Sequence, residues 1–69
     1  MNPWDGAEEY LVERFRREGV IEGTPGRIAR EGGFPLHVME QALADLVRQN
    51  RVHSFQTDDG RLEWEWKLP

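Results

Sequence analysis

The chain of 69 residues contains no cysteine. Disulfide staples, thiolate metal centres and thiol nucleophiles are excluded together, so stability has to come from the packing of one small core. Basic residues are outnumbered: nine Lys and Arg stand against thirteen Asp and Glu, a net charge of −4. That sign excludes a protein that coats nucleic acid or an anionic membrane without specificity, and any nucleic-acid site must be local. Long apolar runs are missing as well. No stretch approaches the roughly 20 residues that span a bilayer, and Met1-Asn2-Pro3-Trp4-Asp5 lacks the basic start and apolar stretch of a signal peptide. The expectation is a cytoplasmic protein with no membrane partner.

What is present is a globular mixture. Apolar residues make up 38 % and charged residues 32 % of the chain, and the two kinds are interleaved as in folded domains. Ala7, Leu11 and Phe15 recur at four-residue steps, with Tyr10 and Val12 widening the stripe, which predicts an amphipathic helix over about 5–18. Asp5 is its expected N-cap, Glu8 completes a capping box, and Gly19 offers a left-handed stop. Val20-Ile21-Glu22, held between glycines, suits a short strand. Thr24-Pro25 is a helix start, since Thr caps orphan N–H groups and Pro fits the first helical position. The helix it opens, about 25–31, buries Ile28 and Ala29 and meets Gly32-Gly33, a stop and a turn. Phe34-Pro35 opens a third helix, about 35–49, in which Met39, Ala42, Leu43, Leu46 and Val47 form the strongest periodicity in the chain. Asn50 stands at its left-handed exit. Beyond it, two alternating stretches around Asp58-Asp59-Gly60 predict a hairpin over about 51–67.

The stretch from Thr24 to Val52 resembles the helix-turn-helix core of winged-helix proteins. Ile28-Ala29, Gly33, Met39, Leu43, Leu46, Asn50 and Val52 fill the places of the apolar-Ala pair, the turn glycine and the apolar residues ahead of the wing. With the first helix and the hairpin included, the resemblance covers about residues 5–68. It implies an α+β fold, a small winged-helix domain of three helices, a short strand and a C-terminal β-hairpin wing, occupying residues 1–69 as a single domain.

In that family the second helix of the motif lies in the major groove and its exposed early residues meet base edges. The resemblance therefore implies a reading surface on Leu36, His37, Val38, Glu40 and Gln41, with Ala44 and Arg48 further along. Gln41 suits adenine, Val38 a thymine methyl, and His37 either donates or accepts. Arg27, Arg30, Arg48 and Arg51 fall where the family holds phosphates; the same arginines also suit an ordinary solvated helix face. Residues 24–51 hold four arginines and three acids, a net of +1, while residues 1–23 carry −3 and residues 52–69 carry −2. The acids Glu40 and Asp45 on the reading helix, and the wing tip Asp58-Asp59-Gly60, depart from the family and predict that the wing is held away from a duplex.

Two function classes remain. The leading expectation is a duplex DNA-binding regulator, dimeric through the first helix and Trp4 because one such module covers little DNA. The alternative is a protein-interaction winged helix that docks on an enzyme or complex, as small acidic members of the superfamily do. Trp64 and Trp66 share one strand face; they serve as core or, with Trp4, as partner or dimer contacts. No enzyme is expected. His53 and Ser54 are strand neighbours on opposite faces, Gly32-Gly33 lacks the Lys-Ser/Thr of a phosphate-cradling loop, and two histidines without cysteine offer no zinc-ligand spacing. No cofactor and no metal are expected.

Overall fold

The computed structural model describes residues 3–68. Helix α1 spans Pro3–Glu18 and carries Ala7, Leu11 and Phe15, all fully buried. It begins two residues earlier than the spacing suggests, so Asp5 lies in its first turn instead of capping it. There its charge still complements the exposed N–H groups of the helix start. Gly19 (φ 78°) ends the helix in the left-handed conformation, its amide donating to the Phe15 carbonyl oxygen at 2.7 Å.

Strand β1 is Val20–Glu22, and α2 is Pro25–Gly32. Thr24 is the N-cap of α2, its Oγ1 accepting from the Arg27 amide at 3.2 Å, and Gly33 (φ 76°) closes the helix. Helix α3, Leu36–Arg48, starts one residue after Pro35, which is the N-cap and offers no side-chain bond. Asn50 (φ 61°) takes the left-handed exit. Strands β2, Val52–Gln56, and β3, Leu62–Trp66, form the hairpin around Gly60 (φ 86°).

The three strands make one antiparallel sheet in the order β1-β3-β2, with Ile21 opposite Trp64 and Ser54 opposite Trp64 from the other side. Alternation sorts the faces: Ile21, Val52 and Trp64 point to the helices and are buried, whereas Val20, Glu65 and His53 point away and are exposed. Helix α3 packs against both α1 and α2, and the core joins Leu11, Phe15, Ile28, Met39, Leu43 and Leu46 to the inner sheet face. Three helices on one side of a small antiparallel sheet are consistent with a winged-helix layout.

One glycine position is set by packing. A Cβ on Gly32 would sit 2.9 Å from the Tyr10 ring and 3.0 Å from that of Phe34, and these rings meet at 5.4 Å between centroids. The close approach brings Arg14 of α1 to Glu31 of α2 at 2.9 Å. Gly32 is therefore a contact residue between α1 and α2, and the turn belongs to Gly33.

Candidate nucleic-acid interface

Helix α3 has one face in the core and one exposed face, which α1 touches only at its start through Trp4 and His37. Val38, Met39, Ala42, Leu43 and Leu46 point inward. Leu36, His37, Glu40, Gln41, Ala44 and Arg48 form the exposed stripe. Val38, expected to reach a thymine methyl, is 2 % exposed and belongs to the core. Helical geometry decides this: Val38 lies four residues before Ala42 and eight before Leu46, on the buried meridian. The exposed apolar side chains of this stripe are Leu36, which is 51 % exposed, and Ala44.

Gln41 and Arg48 of this stripe have local partners. Gln41 Nε2 donates to Asp45 Oδ1 at 3.0 Å, and Arg48 pairs with the same carboxylate. Asp45 thus sits half-buried beneath two donors. The His37 ring meets Trp4 edge-on at 6.3 Å between centroids, so the start of α1 borders the start of α3. Trp4 is 40 % exposed.

The other arginines fall into two groups. Arg51 is half-buried; its guanidinium lies 5.4 Å from the centre of the Trp66 ring and 3.5 Å from Glu8. It ties the chain just after α3 to α1 and β3, a structural use for a residue expected to contact phosphate. Arg27 and Arg30, by contrast, line a cleft between α2 and the hairpin, together with Gly23, Thr24, Gln56 and Arg61. Arg27 makes a 3.4 Å pair with Glu31, and Arg30 has no ion pair among the described residues.

Arg61 was not among the expected site residues. It follows the acidic tip, and the bond from the Gly23 amide to the Leu62 carbonyl oxygen at 2.8 Å brings it beside α2. There it pairs with Glu22 at 3.2 Å and Asp59 at 3.1 Å. Hydrogen bonds from Thr57 and Arg61 hold the Asp59 carboxyl below its ordinary range, and Asp59 in turn raises Arg61. No local signal in the sequence reveals this juxtaposition, because a strand pairing creates it.

No protein-family model, curated protein or solved structure matches the chain. The site therefore has to be read from its own chemistry.

The tryptophans of the hairpin pack in and against the core. Trp64 is 8 % exposed, and its Nε1 donates to the Gly23 carbonyl oxygen at 2.9 Å. Trp66 is half-buried, stacked on Phe15 at 5.8 Å and covered by Arg51. Among the described residues no group of three or more His, Asp or Glu is arranged to hold a metal, and no helix is long and apolar enough to cross a membrane.

Proposed function

We propose that this protein is a winged helix-turn-helix that binds duplex DNA through α3, as a small regulator and without catalysis. The observation that carries the proposal is the exposed stripe of α3, in which His37, Gln41, Ala44 and Arg48 stand on one face next to the arginine-lined cleft of α2. A Cβ on Gly26 would lie 3.8 Å from Leu36 Cδ1, so the first turns of α2 and α3 abut and a duplex on one reaches the other. His37 and Gln41 are assigned to base edges, with Leu36 and Ala44 as the apolar contacts in place of Val38. Arg27, Arg30 and Arg48 are assigned to phosphates, joined by Arg61. The pairs that now hold three of these arginines are exposed and weak, and a phosphate readily displaces them.

A second reading is favoured by the outer sheet face, where Glu22 stands directly opposite Glu63 and Glu65 is next along β3. Like charges in register cost stability, and a basic protein partner on that face would relieve the cost. An amide chemical-shift titration with mixed-sequence duplex DNA at low salt separates the two. Shifts gathered on residues 24–48 and Arg61 are expected from the DNA reading. Silence there at millimolar duplex removes it and leaves the docking reading.

A further inference from the structure

The sheet has two edges, and they differ. At one edge β1 has three residues, ends in Glu22 and is closed at each end by a left-handed glycine, Gly19 and Gly23. At the other, β2 runs five residues in unbroken register with β3, without a bulge. Its sequence Val52-His53-Ser54-Phe55-Gln56 contains no proline, no glycine and no Asp, Glu, Lys or Arg, in a chain that is 32 % charged. Edge strands are normally protected by charge, proline, bulges or brevity. β1 has two of these devices; β2 has none.

The hydrogen-bond parity fixes which backbone groups are open. The Lys67 amide donates to the Arg51 carbonyl oxygen at 3.0 Å, and the Thr57 amide to the Arg61 carbonyl oxygen at 2.8 Å. In an antiparallel ladder such bonds recur at every second residue, so His53 and Phe55 bond to β3 while the N–H and C=O groups of Val52, Ser54 and Gln56 point away from the sheet. None of these outward groups has a protein partner among the described residues.

We infer that β2 is a dimerisation edge, which pairs antiparallel with β2 of a second copy of this chain about a two-fold axis at Ser54. The occupant follows from register. With Ser54 opposite its own copy, Val52 meets Gln56 and the three outward sets of backbone groups satisfy one another. On the outer face, His53 then lies opposite Phe55 of the second copy. These two rings already stack within one chain, 5.8 Å apart and 19° from parallel, so the pairing sets two such stacks side by side as a cluster of four rings. No acid is set opposite an acid: Arg51 meets Thr57, and Asn50 meets Asp58. An isologous contact of this kind closes on itself and leaves no free β2 edge. It leaves the exposed face of α3 free and meets the α2 cleft only at Gln56, and it does not depend on the DNA reading.

The test is the oligomeric state of the full chain without DNA, with its amide exchange. Sedimentation equilibrium should show a monomer–dimer equilibrium. Hydrogen exchange should show concentration-dependent protection at the amides of Val52, Ser54 and Gln56 but not at those of His53 and Phe55. His53→Lys is the dimer-selective variant, since in the monomer the new charge faces Glu65 and is favourable, whereas at the edge it opposes pairing. It should weaken dimerisation by about fivefold to tenfold while thermal unfolding of the monomer is unchanged or slightly raised. A chain that stays monomeric at millimolar concentration overturns the inference. So does a dimer whose protection falls on α1 in place of β2, or one unaffected by His53→Lys.

Discussion

The indole Nε1 of Trp64 donates to the carbonyl oxygen of Gly23 at 2.9 Å, across 41 positions of sequence. The bond fastens the middle of β3 to the β1–α2 corner, where Gly23 (φ 129°) turns the chain toward the Thr24 cap. It also satisfies the polar end of a nearly buried ring, which is why Trp64 is tolerated in so small a core. Trp64→Phe keeps the apolar body and orphans that carbonyl, and is expected to cost about 1–3 kcal/mol in urea unfolding. In iodide quenching of single-tryptophan variants, Trp64 should be shielded and Trp4 accessible; equal quenching would contradict the burial described here.

At Gly32 the Tyr10 ring of α1 lies against the backbone of α2. Tyr10 cannot swing away freely, because its hydroxyl accepts from Arg14 Nη1 at 3.1 Å and its ring rests on Phe34. Gly32→Ala should therefore destabilise by about 1–3 kcal/mol through overpacking. Gly33, with open space around it and a left-handed backbone, should accept Asn at a cost below about 1 kcal/mol. Thermal melts of the two variants test the assignment of contact and turn.

Arg14 binds Glu31, Glu18 and Tyr10 at once. Burial opposes its charge, but the hydrogen bonds to Glu31, Glu18 and Tyr10 outweigh it and hold its pKa above the ordinary arginine value. Arg14 likewise holds the Glu31 carboxyl below its ordinary 4.5. A carboxyl with a lower pKa folded than unfolded contributes stability above the unfolded value, and loses it as pH falls through the folded one. Unfolding midpoints are expected to be flat from about pH 6 to 8 and to fall below about pH 4.5. Glu31→Gln should lower the neutral-pH midpoint and reduce the acid-side fall; an unchanged acid limb would remove Glu31 as a contributor.

Val38 and Gln41 separate stability from recognition. Val38→Ala should cost about 2 kcal/mol of stability from lost burial and leave DNA sequence preference unchanged at temperatures where the variant is folded. Gln41→Ala should leave stability within about 0.5 kcal/mol and relax preference at one base pair by about 1–3 kcal/mol. Arg30→Ala should weaken all duplexes alike and reduce the slope of log affinity against log salt by about 1. Competition binding at several salt concentrations measures both effects.

The helices, their order and their ends were legible because each depends on neighbours in sequence. The four-residue steps from Ala7 to Phe15, the Thr24-Pro25 start, and the left-handed positions at Gly19, Gly33 and Asn50 are local requirements met by local residues. The ends differ by one or two residues: α1 starts at Pro3 with Asp5 in its first turn, α2 includes Gly32, and α3 runs from Leu36 to Arg48. The exposed face of α3 was legible to within one residue: Val38 is expected on it, but its spacing to Ala42 and Leu46 puts it on the buried meridian.

Local spacing along the chain sets the elements and sorts most apolar residues into the core. Tertiary structure alone decided the uses of the charges and the strand edges. Arg51 and Arg27 are residues of the same type on the same motif, yet one is bound under Glu8 and Trp66 and the other stands at an open cleft. Arg61 joins α2 because Gly23 bonds to Leu62. The physical reason is range. Helical periodicity and capping act over a few residues, whereas an ion pair or a strand register depends on which distant segments the packed core brings within a few ångströms.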